Sequence, residues 1–313
     1  MLAYLRLMRI SNVFTVVADV TAAFLVAHGS LSPWTGYLGL LVAAMLMYCA
    51  GMVLNDRFDL EQDRVERPER PIPSGKVSPS AASRLGWGLL IAGVLIAAAT
   101  GWFVGSPEGA ARWRIGVMAL ALAGMILAYD AVLKRSIFGP LAMGSCRTLE
   151  ILMAAGLSEG DAPVPCIPAV LLLASGIGIY IAGVTWFART EAVRSARSGL
   201  IGGVTVMGLG FVILGLIPFV DPTWREALGA RSPWFWPGLL ALIASTVLRR
   251  GATAIADPSP RTVQIAVKQA ILTLIVIDAS VCLFARPNEI YWSLFVLTLL
   301  APTLWLGRWI RST

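Results

Sequence analysis

Blocks of about 20 apolar residues recur along the whole chain, each long enough to cross the hydrocarbon core of a bilayer as a helix. Ten such segments are read, at about 10–28, 35–54, 85–105, 113–130, 137–156, 166–187, 199–220, 234–249, 264–285 and 289–307. The segment at 234–249 is short and follows Pro233-Trp234-Phe235-Trp236-Pro237; if it lies at the interface, nine spans remain. Trp34, Tyr37, Trp87, Trp186, Trp234, Trp236, Tyr291 and Trp292 mark span flanks, where amphipathic rings meet headgroups. Lipid forces each backbone polar group to be satisfied within the protein, and no alternating barrel-type strands appear. The expected fold is therefore all-α: a polytopic transmembrane bundle of nine or ten helices. A mean hydropathy of +0.76 with only 14% charged residues excludes an ordinary soluble domain.

Charge placement orients the bundle. With the N-terminus in the cytoplasm, the predicted inner positions collect 19 of the 25 Lys and Arg residues, from Arg6 and Arg9 to Arg308 and Arg311. The outer loops keep Arg112, Arg114, Arg225, Arg231 and Arg286, and Arg147 falls inside a span. The positive-inside rule then predicts a multi-pass cell-membrane protein with both termini and the charged loops on the cytoplasmic side. The net charge of +7 is this topological signal, and no aromatic-basic nucleic-acid module accompanies it. The first span carries Asn12 and Asp19 and lacks a small-residue cleavage site, so it reads as retained. Cys49, Cys146, Cys166 and Cys282 have no metal-ligand spacing and read as small apolar fillers. No linker divides the chain, which reads as one domain over 1–313.

The chemistry concentrates in the one long hydrophilic connection, 55–84. Asp56, Asp59 and Asp63 are spaced i, i+3, i+7, with Asn55 four before Asp59, so a helix continuing past the second span gathers them towards one face. Carboxylates so arranged repel one another, by about 4 kcal/mol for unit charges 4 Å apart at an effective dielectric near 20, unless a cation sits among them. Oxygen ligands suit Mg²⁺; the single histidine, His28, lies at the other side, which excludes a histidine-type zinc site. The alternative is a solvated acidic helix end neutralised by Arg57, Arg64, Arg67 and Arg70. Downstream, Arg67-Pro68-Glu69-Arg70-Pro71-Ile72-Pro73-Ser74-Gly75-Lys76 cannot continue the helix and returns basic groups towards the acids. Carboxylates beside Arg and Lys read as a metal–diphosphate site.

Asn55-Asp56-x-x-Asp59-x-x-x-Asp63, followed by Arg70-Pro71-x-Pro73-Ser74-Gly75, resembles the first signature of the UbiA superfamily of intramembrane prenyltransferases. Arg9-x-x-Asn12 in the first span and Tyr129 followed by Lys134-Arg135 extend the resemblance over most of the chain. It implies a central, lipid-accessible cavity holding an isoprenyl diphosphate. Mg²⁺ on Asn55, Asp56, Asp59 and Asp63 would bridge the diphosphate, and Asp56, Asp59 and Asp63 would be the catalytic acids. Asn12, Arg70, Tyr129, Lys134, Arg147, Arg189 and Glu191 would bind substrate. The implied reaction moves the isoprenyl group to a small-molecule, electron-rich acceptor, aromatic or otherwise, on the cytoplasmic side.

The resemblance also implies a second aspartate-rich signature after the sixth span. At that place the chain reads Arg189-Thr190-Glu191, with one acid left and an arginine whose fork matches phosphate oxygens. This departure motivates an alternative, a non-catalytic relative that binds or carries an isoprenoid or aromatic metabolite. Arg147 and Glu150, three apart in the fifth span, either pair with each other or turn Arg147 to the cavity. Asp19, Asp130 and Asp278 read as cavity or helix–helix polar contacts with no assignable role.

Overall fold

The computed structural model describes residues 1–105, 112–157, 168–221, 224–225 and 232–309. Cys166, Arg231 and Arg311 lie outside the described residues. The described chain is helical with no strand among its described residues: α1 (Leu2–Leu7), α2 (Val13–His28), α3 (Trp34–Phe58), α4 (Leu60–Glu66), α5 (Pro79–Val104), α6 (Arg112–Ala131), α7 (Gly139–Ala155), α8 (Pro168–Ala188), α9 (Arg197–Gly215), α10 (Ile217–Val220), α11 (Phe235–Ala256), α12 (Pro260–Ala285), α13 (Ile290–Thr298) and α14 (Leu300–Trp309).

Nine segments among the described residues are long and apolar enough to span a membrane. The helix below that length is α7, the fifth expected span, and it carries Arg147 and Glu150. Its 17 residues give about 26 Å at 1.5 Å per residue, the lower limit for a spanning helix. The stretch expected to be short, 234–249, is instead the full 22-residue α11.

Long helices pack through small residues. Along the α8–α9 seam, a Cβ on Gly203 would lie 2.8 Å from the Phe187 nitrogen, and one on Gly210 would lie 2.8 Å from the Tyr180 nitrogen. Only glycine lets these backbones approach so closely, which is how apolar helices gain dispersion energy in lipid. Two late spans are broken by proline. Pro218 has no N–H for the Leu214 carbonyl, so α9 ends and α10 restarts after Leu216. The buried Trp236 indole on α11 donates to that freed carbonyl at 2.7 Å. In the last span Pro302 deprives the Thr298 carbonyl in the same way, and α13 gives way to α14 at Leu299.

The connection after α3 has a core of its own. Ile72 and Val77 pack with Leu7, Val53, Leu60 and Ala82 in a cluster separate from the main core. Gly75 takes φ +75°, the left-handed region a turn needs and glycine adopts freely. Ser78 then caps α5, accepting from the Ala81 amide at 3.2 Å ahead of Pro79 at the first helical position. The loop is thus folded down onto the bundle, with Arg70 carried inside.

Candidate active site

The charged loops meet at one end of the bundle, around a cavity of about 590 Å³ walled by α2, α3, α6, α7, α8 and α12. Helical periodicity explains which motif residues reach it. At about 100° per residue, Asp56 and Asp63 point within about 20° of each other, while Asp59 lies about 60° from Asp56 and about 40° from Asp63, on the side of Asn55. Tyr48, Met52, Asn55, Asp59 and Gln62 follow the i, i+4, i+7 stripe and line the cavity. Asp59 interrupts the helix only locally: its amide still bonds to the Asn55 carbonyl, and the Asp63 amide to the Asp59 carbonyl.

Asp56 and Asp63 face the loop instead and do not line the cavity. Arg70, 9% exposed, sits between them, its Nη1 2.7 Å from Asp63 Oδ2 and 3.2 Å from Asp56 Oδ1. Burial pushes the Asp63 carboxyl above its usual range and the Arg70 hydrogen bond pulls it back. The expected quartet of Asn55, Asp56, Asp59 and Asp63 is therefore split between two faces, and Arg70 meets the acids rather than the cavity. Arg9 bridges the two groups: it donates to Asp56 Oδ1 at 3.3 Å and lines the cavity. It adopts φ +47°, ψ +47°, a left-handed conformation costing an L-residue about 1–2 kcal/mol. That kink ends the α1 segment and aims the guanidinium inward.

On the cavity side, Lys134 Nζ lies 2.7 Å from Asp59 Oδ1, and Arg135 Nη2 lies 3.5 Å away. Asn55 Nδ2 donates to Asp130 Oδ1 at 2.7 Å. Asp130 is 3% exposed, and its Oδ2 has no hydrogen-bond partner among the described residues. Asn12 and Tyr129 line the same cavity, as do Arg189 and Glu191 from the far side. Arg189 is exposed and donates to the Arg135 carbonyl at 3.3 Å. Burial raises the Glu191 carboxyl above its ordinary range, and Arg67, Arg9 and Arg70 work against that rise. This end of the cavity gathers the cations Arg9, Arg67, Lys134, Arg135 and Arg189 against Asp59, Asp130 and Glu191. The excess of positive charge suits a multiply charged anion.

Deeper in the bundle, Arg147 satisfies both sequence readings at once. Its Nη1 donates to Asp19 at 2.7 Å and lies 3.1 Å from Glu150 Oε2. Nη2 donates to Thr15 at 2.7 Å, and the guanidinium carbon lies 5.8 Å from the Tyr48 ring centre. Arg147, Glu150, Thr15 and Tyr48 nevertheless line the cavity. Tyr48 is eleven residues before Asp59 on α3, so the two polar regions are separated by about 16 Å of helix. Between them the wall is apolar, with Met47, Met52, Ile126, Ile181, Val184 and Ile271.

Among the described residues no three His, Cys, Asp or Glu side chains converge as a self-sufficient metal cage. Asn55, Asp59 and Asp130 do form an all-oxygen set, one oxygen of it buried without a partner, beside a cationic surface. That set fits Mg²⁺, which binds through one or two carboxylates and takes remaining ligands from water and phosphate. Sequence reasoning left Arg67, Arg135, Gln62 and Asp130 out of the site. Arg67 and Arg135 adjoin recognised motifs, while the sequence marks Asp130 only as an intramembrane polar contact without a role, and the α3–α6 packing brings it to Asn55.

Comparison with known proteins agrees with this architecture. A model of the UbiA prenyltransferase family matches residues 16–245. A digeranylgeranylglyceryl phosphate synthase of Metallosphaera sedula is 33% identical over 162 residues, covering 50% of this chain and 52% of that protein. Its namesake from Methanoculleus marisnigri is 40% identical over 100 residues, 31% of this chain and 34% of that protein. The chain thus spans about half or less of the length of these curated relatives. A solved structure concerned with digeranylgeranylglyceryl phosphate synthase in membranes aligns with a TM-score of 0.64 at 18% identity, over 91% of this chain and 98% of that one. A UbiA homologue from Archaeoglobus fulgidus bound to DMAPP and Mg²⁺ aligns at 0.54 and 17% identity, over 87% and 99%. At these identities the likeness is one of fold.

Proposed function

Because the chain belongs to the UbiA prenyltransferase family, we propose that it is a Mg²⁺-dependent intramembrane prenyltransferase working as a single domain over 1–313. It moves an isoprenyl group from an isoprenyl diphosphate to an electron-rich small-molecule acceptor at the cytoplasmic face. The observation that carries this reading is the cavity's two-part wall, a cationic end with Asn55 and Asp59 followed by an apolar passage. The diphosphate lies at the cationic end and the isoprenyl tail among Met47, Ile126, Ile181 and Val184.

Mg²⁺, when bound, neutralises the diphosphate and stabilises it as a leaving group. Asn55 and Asp59 present oxygens to it. Lys134, which rests on Asp59, turns to the diphosphate, and Arg9, Arg67, Arg135 and Arg189 neutralise the remaining charge. Asn12 and Tyr129 line the same cavity. The donor's C–O bond breaks to release diphosphate, the bundle keeps water from the allylic cation, and the acceptor bonds to that cation while losing its proton to the diphosphate. Asp56, Asp63 and Arg70 act by fixing the loop that carries these groups. Arg147 closes the deep end, held there by Asp19 and Glu150. Glu191 orients Arg67 and Arg9. The names of the relatives point to a glyceryl phosphate hydroxyl as the first acceptor to try.

Purified protein in proteoliposomes, given labelled geranylgeranyl diphosphate, Mg²⁺ and either a glyceryl phosphate ether or a phenol, is expected to form a prenylated product that chelation abolishes. Arg189 at the place of an expected acid supports a second reading, a non-catalytic isoprenoid binder. Metal-dependent donor binding without transfer to any acceptor would favour that reading, and no donor binding at all would sink both.

A further inference from the structure

The acids around the end of α3 differ in their surroundings. Asp56 and Asp63 share the buried Arg70 guanidinium, so their charge is answered within the protein. Asp130 is answered only on one side. Its Oδ1 accepts from Asn55 at 2.7 Å, while Oδ2, in a residue 97% buried, has no hydrogen-bond partner among the described residues. Leaving a carboxylate oxygen buried and unpaired is costly, and Asp130 is one of the residues that wall the polar end of the cavity. Asn55 is held so that its amide nitrogen points to Asp130, which leaves its carbonyl oxygen free to face the cavity with Asp59.

We propose that Asp130 is a direct ligand of the divalent cation bound at the cationic end of the cavity, completing with Asn55 and Asp59 a set of protein oxygens in which Asp56 and Asp63 take no part. The inference rests on the reading of this cavity as a metal–diphosphate site and deepens it. Two carboxylates and one amide oxygen are the protein share that Mg²⁺ accepts before phosphate and water supply the rest. The Asn55–Asp130 hydrogen bond then orients both ligands, as the surroundings of metal sites commonly do. Asp56 and Asp63 are positioning residues, acting through Arg70 on the loop.

The test is Mn²⁺ binding to the full-length protein in detergent, read by electron paramagnetic resonance, with competition by Mg²⁺ and without any substrate. Asp130→Asn and Asp59→Asn are each expected to weaken Mn²⁺ binding by at least about tenfold, and Asp63→Asn to leave it within about twofold. Carbodiimide labelling of Asp130 in the unmodified protein, read by mass spectrometry, gives a variant-free measure, and Mn²⁺ is expected to block it. Wild-type affinity in Asp130→Asn, or labelling indifferent to Mn²⁺, would overturn the inference while a weakened Asp59→Asn left the metal–diphosphate reading standing. A wild-type protein that binds neither Mn²⁺ nor metal-loaded isoprenyl diphosphate would overturn both.

Discussion

Arg70 donates to Asp63 at 2.7 Å in a pocket where both side chains are less than one-tenth exposed. The same nitrogen lies 3.2 Å from Asp56, so one guanidinium ties the end of α3, helix α4 and the proline-rich loop together. Helix and loop are thereby fixed relative to the cavity that Asp59 enters.

Removing that cation should cost stability before it costs binding. Arg70→Met leaves the buried Asp63 carboxylate without its partner and Asp56 with Arg9 alone, a change of about 3–5 kcal/mol for a broken buried pair. A lowered thermal unfolding midpoint in detergent is the expected result. Adding Asp63→Asn to Arg70→Met should recover part of the loss, since it removes the uncompensated charge. Arg70→Met unfolding like the wild type would show that the loop is held by its apolar cluster alone.

The spans were legible because lipid permits so few solutions: apolar blocks of spanning length must be helices. Where α5 begins was less so, because Ser78 and Pro79 start it well before the apolar stretch expected from residue 85. The motif was legible in composition but not in direction. A spacing of i, i+3, i+7 suggests one face, yet α-helical geometry sets Asp59 about 60° from Asp56 and about 40° from Asp63. Loop packing then decided that the aligned pair would meet Arg70. Contacts between distant spans, such as Arg147 with Asp19 across 128 residues, left no local trace in the sequence.

Arg147 is expected to behave as a second buried anchor. Arg147→Met leaves Asp19 and Glu150 uncompensated inside the bundle and should destabilise it by about 3–5 kcal/mol. Arg147→Met/Glu150→Gln should be milder than Arg147→Met alone. Chemical denaturation in mixed micelles reads both, and strict additivity of the two substitutions would contradict the coupling drawn from the 3.1 Å contact.

Glu191 gives a pH dependence of defined sign. Burial raises its carboxyl pKa in the folded chain, so the folded state holds this proton to higher pH than the unfolded state does. Its contribution to stability therefore falls as pH rises from the ordinary glutamate value near 4.3 through the raised value, and is level above that. Glu191→Gln should flatten this part of the stability–pH curve. An unchanged curve would mean that Arg67 and Arg9 already offset the cost of burial.

The central claim is that the cationic end of the cavity binds an isoprenyl diphosphate through a divalent cation held at Asp59. Its most direct test is calorimetric titration of geranylgeranyl thiolodiphosphate, a donor that resists ionisation, into the full-length protein with Mg²⁺ or with a chelator. Binding is predicted only with Mg²⁺, and Asp59→Asn, checked for an intact fold, should weaken it by at least about tenfold. Equal affinity with the chelator, or an Asp59→Asn protein that binds as the wild type does, would contradict the account.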